Sequence, residues 1–290
     1  MRSAFVASTS IAIALLAASC GGKAGTTTAS TTTVQAAQSG LRVGVVGPLQ
    51  VRAAGAVIER LSLRAASNQS SLVLVAATAR ASAAVPAEAL VHPATHYALV
   101  GESAAAERLP NLAGILLRDD QAARLGGAVA GLAVSGQTDR RVAWVGPPDS
   151  ALADAFAQGV HAVEPGTVIL RAWSVDRPAS CKESALGAIE RGATVVMAPH
   201  GLCAAAAIDG AHERNQPGLQ LSDFELPGIA ASQIARDAVR GRYHGGEDIL
   251  FGAASGAIAI RHLDQLLSAV VAARAQAAAE QLASGRPLSG

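Results

Sequence analysis

The run ATVVMA at 193–198 is short, uncharged and without two-residue alternation, and Gly192, Pro199 and Gly201 punctuate it. A strand that alternates keeps one wet face. One that does not is covered on both faces, which means a parallel sheet between helix layers. The helices this requires stand on either side. Leu186, Ile189 and Glu190 follow CKESA, Lys182 and Glu183 fall in the first turn, and Gly192 takes the position after the helix that favours positive φ. Residues 203–211 resume as helix. The stretch 180–211 thus predicts helix, strand and helix with tight connections, the unit of a doubly wound α/β layer, where ligands sit outside the carboxyl ends of the strands. For this strand that edge is 197–202.

Cys181, Lys182, Glu183, Ala185, Gly192, Val195, Val196, Gly201, Cys203, Ala207 and Asp209, at these intervals, resemble the basic membrane protein (BMP) family of substrate-binding lipoproteins. A second block is similar to the same family: THYALVG at 95–101, NLAGI at 111–115, Asp119-Asp120-Gln121-Ala122 and Leu125-Gly126-Gly127. The resemblance covers residue 41 to the end and implies the two-lobed type I periplasmic binding protein fold. Each lobe would be a doubly wound, mostly parallel sheet, with lobe one at 41–117 plus 226–258 and lobe two at 118–225 plus 259–290. Characterised members of the family are mostly nucleoside receptors for ABC importers. It also implies that lobe one is short by one β-α unit, since the family places an extra strand and helix between the first strand and the one at 71–77.

Residues 1–19 carry one positive charge at Arg2, an apolar core to Leu15-Leu16 and small residues before Cys20. This is the pattern of a secretory signal, too short in its apolar part for a comfortable membrane span. Small residues leading into Cys20 resemble a bacterial lipobox, which implies acylation of Cys20 and anchoring on the outer face of the cytoplasmic membrane; Ala17 stands where leucine is commonest. Residues 21–40 have almost no large apolar side chains and are expected to form a flexible tether. With Cys20 acylated, Cys181 and Cys203 remain as an even pair in an exported domain, which invites a disulfide. Both lie near the starts of consecutive helices on one sheet edge; two buried free thiols are the alternative. The net charge of +1 comes without any basic patch interleaved with aromatics, which speaks against nucleic acid as a partner.

Along the rest of the chain, strands are expected at 41–47, 71–77, 96–101, 112–117, 141–146, 167–175 and 218–224, with 249–252 and 257–260 as a pair. Helices are expected at 51–66, 87–91, 121–134, 150–163, 227–240 and 263–282. Asp119 or Asp120 can cap the helix at 121. Gly126, Gly127, Ala130 and Gly131 would let that helix lie close to the sheet, a packing role that outweighs a membrane dimer motif.

Catalytic signatures are thin. The serine of GAASG at 252–256 is one place late for a nucleophile elbow. His92 and His96 have metal-like spacing, but Pro93 breaks the helix that would align them. GVVG at 44–47 lacks the lysine and third glycine of a phosphate loop. No cofactor or metal is expected. Placement at strand ends selects Pro48, Leu49, Gln50, Glu102, Asp119, Gly146, Met197, His200, Gly201 and Asp223 as candidates for contact with a small solute. Against the family's pattern, PLQVR at 48–52 replaces an acidic and aromatic run, Met197 a base-stacking phenylalanine, Leu202 a glycine and Ile234 a lysine, while Asp237 is kept. The expectation is a monomeric solute-binding lipoprotein with an ABC permease as partner, its ligand other than a standard nucleoside. A ligand-free scaffold or sensor, and an exported enzyme using His200 or Asp223, stay open.

Overall fold

The computed structural model describes residues 40–147, 151–173 and 177–289. The expected signal at 1–19, the lipidated Cys20 and all of the tether but Gly40 lie outside the described residues, as do Ser150 and 174–175 at the ends of two expected elements.

β1 (Leu41–Val46) is flanked by β2 (Ala56–Arg60) and β3 (Leu72–Ala76), and β4 (His96–Val100), β5 (Leu112–Leu117) and β10 (Ile249–Phe251) complete a sheet ordered β10-β5-β4-β3-β1-β2. Every pairing in it is parallel. β3 is buried at each position, as an unalternated strand requires. On one face α1 (Leu63–Gln69) and α2 (Val85–Val91) set Leu63, Ala66, Val85 and Ala89 against Val73, Val75 and Tyr97. On the other, α7 (Pro227–Val239) packs Ala230, Ala231, Ile234 and Ala235 against Val43, Val45, Leu72 and Leu74.

The second sheet runs β7-β6-β8-β9, also parallel: β6 (Arg141–Gly146), β7 (Val168–Trp173), β8 (Val196–Ala198) and β9 (Gly218–Gln220). α3 (Asp119–Val134), α4 (Ala151–Val163) and α8 (Ala269–Ala283) share one core with it around Trp144, Phe156 and Phe224. α5 (Pro178–Glu190) and α6 (Gly201–Glu213) cover the opposite face through small residues and the bonded pair Cys181–Cys203, whose Cα atoms lie 5.3 Å apart. The expected α/β class and its two parallel sheets are the observed ones.

Several boundaries differ for physical reasons. The helix expected over 51–66 is a loop, then β2, then the start of α1. Val57 and Ile58 fit a strand as well as a helix, and the open edge of β1 supplies a partner along its length. Ser62 then starts α1 by accepting a hydrogen bond from the Ala65 amide at 3.4 Å. Where the resemblance implied a missing β-α unit, residues 47–55 join β1 directly to β2, so the expected missing strand is present. Residues 257–260 form no strand, and Ile258 makes a single antiparallel bridge to Glu225. The last helix starts at Ala269, where Ser268 accepts from the Val271 amide, because Asp264 holds the preceding residues in a turn. Neither Asp119 nor Asp120 caps α3. Both lie inside its first turn behind Arg118, which grips Asp120 with two hydrogen bonds of 2.8 Å.

Of the glycines in α3, Gly126 faces the sheet side, against Met197 and Phe224, as expected. Gly127 and Gly131 instead face α4, where added Cβ atoms would come within 2.1 Å of the Phe156 carbonyl and 2.6 Å of Val163. Among the described residues no helix is long and apolar enough to cross a membrane.

Candidate functional site

The chain passes between the two sheets where β5 feeds α3, where the 3-10 turn Leu221–Asp223 is followed by α7, and between α7 and α8. At the second of these crossings lies a cavity of about 580 Å³, lined by Pro48, Gln50, Arg52, Glu225, Ser232, Arg236 and Arg261 among others. The loop after β1 forms one wall. It is tied to α7 by Ser232, whose hydroxyl accepts from the Arg52 amide at 2.9 Å and donates to the Gly228 carbonyl at 2.6 Å. A Cβ at Gly228 would sit 2.4 Å from the Gln50 carbonyl, so loop and helix touch backbone to backbone.

Arg236 donates to the Gln233 side-chain oxygen at 2.7 Å. Neither it nor Arg52 nor Arg261 has a carboxylate within 4.0 Å among the described residues. Three guanidinium groups thus stand around one cavity with no ion-pair partner within 4.0 Å among the described residues, and Glu225 is the one carboxylate in its lining. No lining residue is aromatic.

Behind Glu225 a second cluster forms. Asp119 at the start of α3, His200 in the N-cap position of α6 and Glu225 bring one donor atom each within 4.8 Å of one another. His200 Nε2 is 3.2 Å from Glu225 Oε1 and 3.9 Å from Asp119 Oδ2. Burial, with Glu225 beside it, pushes the Asp119 carboxyl up to about 6, and His200 opposes this. Contact with Glu225 raises the His200 imidazole above its ordinary value, against the effect of burial.

The expected site residues divide. Pro48 and Gln50 line the cavity, whereas Leu49, placed beside them in sequence, is 3% exposed and belongs to the first core. Asp119 and His200 meet in the cluster, and Gly201 begins α6 at φ +86. Met197 is fully buried against Gly126 and faces no cavity. Ile234, on α7, is buried in the first core. Gly146 is buried beside Trp144 and Pro199, and Pro148 lies outside the described residues. Glu102 is exposed on the loop after β4 and lines none of the cavities described. Asp223 points elsewhere, into a cavity of about 500 Å³ beside the edge strand β9, with His212, Gln220, His262 and Asp264.

Sequence reasoning missed Arg52, Glu225, Ser232, Arg236 and Arg261. Glu225 precedes Leu226-Pro227, whose proline at the first helical position marks a helix start, so a carboxylate near a crossing was available to be read. Arg261 carries no such signal, since it follows an apolar run at 257–260 whose pattern reads as a strand.

These features define a two-sheet, doubly wound α/β protein with a cavity where the chain crosses between its sheets. No protein-family model matches the chain, and no curated protein matches its sequence. Solved structures do match. An ABC transporter solute-binding protein from Conexibacter woesei aligns over 84% of this chain and 97% of its own, with TM-score 0.60 and 18% identity. One from Aeropyrum pernix aligns over 84% and 92%, with TM-score 0.52 and 17% identity. A transcriptional activator of the comK gene from Bacillus halodurans aligns over 85% and 99%, with TM-score 0.59 and 10% identity. At these identities the likeness establishes the fold, the expected type I periplasmic binding protein fold.

Proposed function

We propose that this is an exported solute-binding lipoprotein of an ABC importer, a divergent relative of the basic membrane protein family, that binds a small anionic solute rather than a standard nucleoside. The observation that carries the reading is the cavity of about 580 Å³ flanked by Arg52, Arg236 and Arg261. A guanidinium presents a planar fork of donors matched to carboxylate or phosphate, and such charge-assisted bonds are stronger than neutral ones. Pro48 and Gln50 supply one wall and Ser232 a nearby hydroxyl. Lobe one would comprise 41–117 plus 226–258 and lobe two 118–225 plus 259–290, closing on the solute at the crossings.

Cleavage before Cys20 and its acylation would hold the protein, as a monomer, on the outer face of the cytoplasmic membrane beside its permease, with 21–40 as the tether. Binding rather than catalysis is the role, since the cavity offers cationic clamps and no nucleophile paired with a base. A thermal-shift panel of small carboxylates, phosphates, neutral sugars and nucleosides tests the reading, because a ligand at a hundred times its dissociation constant adds about 2.7 kcal/mol of stability. Stabilisation by at least one anion and by no neutral member is expected; stabilisation by neutral solutes alone contradicts it.

A further inference from the structure

Glu225 is the most constrained of the three residues in the cluster behind the cavity. Its side chain is 9% exposed, and Oε1 has no hydrogen-bond donor, although His200 Nε2 lies 3.2 Å away, outside hydrogen-bond geometry. A buried carboxylate oxygen without a donor is costly unless a cation takes its place. No lysine or arginine is within 4.0 Å of Asp119 or Glu225 among the described residues, and the arginine nearest in sequence to Asp119, Arg118, is committed to Asp120. His200 is the one cationic partner of these two carboxylates within 4.0 Å among the described residues, and a divalent cation entering the site would displace its proton and cancel the two carboxylate charges.

We infer that Asp119, His200 and Glu225 form a binding site for a first-row divalent cation of the zinc class. Zinc holds imidazole nitrogen and carboxylate oxygen at about 2.0–2.2 Å, so ligand atoms around a tetrahedral ion stand about 3.4 Å apart. The 3.2 and 3.9 Å from His200 bracket that spacing, and all three ligand atoms lie within 4.8 Å of one another, so closing on an ion asks for side-chain adjustment and no movement of the backbone elements is implied. The donor set is one nitrogen and carboxylate oxygens, while both cysteines of the described chain are bonded to each other, which disfavours a soft, thiolate-seeking ion such as Cu(I). Three protein ligands leave a fourth position open.

The ligands come from three separate elements. Asp119 starts α3 immediately after β5 of the first sheet, His200 follows β8 of the second, and Glu225 sits on the segment leading to α7. An ion here clasps two of the chain's crossings between its sheets. The inference uses none of the arginines but shares Glu225 with the cavity wall, so the Asp119 and His200 variants, which leave that wall intact, separate it from the solute reading.

The test uses the mature chain, with any affinity tag removed, its disulfide intact and prior treatment with EDTA, titrated with ZnCl2 by isothermal calorimetry. One zinc per chain with a dissociation constant of 10 µM or tighter is expected. His200→Ala and Asp119→Asn, both at half-exposed positions, are each expected to weaken it at least tenfold while leaving the circular dichroism spectrum unchanged. His212→Ala, which alters a different histidine–aspartate contact away from this cluster, is expected to leave it within twofold. Glu225→Gln is expected to abolish binding, but it is buried, so the two exposed variants decide if it fails to fold. Absence of saturable binding below about 100 µM, or binding that His200→Ala and Asp119→Asn leave intact, overturns the inference.

Discussion

The contact of α3 with α4 gives a test in which one type of substitution has opposite effects at two positions. Gly159 on α4 faces α3 so closely that an added Cβ would lie 1.9 Å from the Arg124 carbonyl oxygen and 2.9 Å from the Ala128 nitrogen. Carbon and carbonyl oxygen stand no closer than about 3.3 Å in ordinary contact, so Gly159→Ala forces the helices apart by about 1.4 Å. The opposing atoms are backbone, and no rotamer change relieves the clash. Overpacking of this kind costs about 3 kcal/mol, and the helix propensity gained over glycine returns about 1 kcal/mol, leaving about 2 kcal/mol of net destabilisation. For a domain of this size that is a fall of roughly 4–8 °C in Tm. Gly187, inside α5, has nothing within 4 Å of the same added atom. There the propensity term acts alone, and Gly187→Ala is expected to raise Tm by up to roughly 4 °C. Melting curves followed by circular dichroism under identical buffer decide it. A Gly159→Ala protein that melts within a degree of the parent, or that shifts in the same direction as Gly187→Ala, would refute the packing argument.

Three further outcomes follow from other parts of the molecule. The Cys181–Cys203 bridge closes a sequence separation of 22 between two helices, worth about 3 kcal/mol in the chain-entropy model, so reductant should lower Tm in the parent and leave a Cys181→Ala, Cys203→Ala protein unmoved; equal melting of the parent with and without reductant would remove the bridge from the account. Burial raises the Asp264 carboxyl, but the His212 imidazole and the Leu266 and Gly218 amides outweigh it and hold its pKa below the usual range. Its stabilising effect is thus present above the unfolded carboxylate pKa of about 3.9 and lost as pH falls through the lower folded value. Urea unfolding of Asp264→Ala is expected to show a deficit of about 2 kcal/mol at pH 7 that shrinks at pH 3, and an equal deficit at both pH values counts against this role. Adenosine, guanosine and inosine are each expected to bind more weakly than about 100 µM, since the cavity has no aromatic wall and Ile234 is buried; micromolar binding of any of them by calorimetry would show that the cavity is misjudged.

The layer architecture was legible because buried parallel strands announce themselves: β3, β4 and β8 are unalternated apolar runs bounded by glycine, proline or polar turns, and the helices between them carry clear periodicity. The 51–66 segment was not, because β-branched residues at 57 and 58 satisfy both periods and only the vacant edge of β1 decides between them. Met197 shows why the site was harder. Its place at a strand end suggested the cleft, yet whether a side chain there points to solvent or core depends on what packs behind it, and Gly126 on α3 opens a hole that the thioether fills. Leu49 fails the same way between two exposed neighbours. The arginines of the cavity come from positions 52, 236 and 261, and no local pattern links residues brought together by chain crossings.

The claim that an anion occupies the arginine-flanked cavity is tested most directly by isothermal titration of the most stabilising anion from the thermal-shift panel against the parent protein and Arg236→Ala. Loss of one charge-assisted bond, about 1.5–3 kcal/mol, corresponds to a weakening of at least tenfold. The account predicts that weakening, with one solute bound per chain in the parent. Undiminished affinity in Arg236→Ala, or binding by the parent of neutral solutes alone, would contradict it.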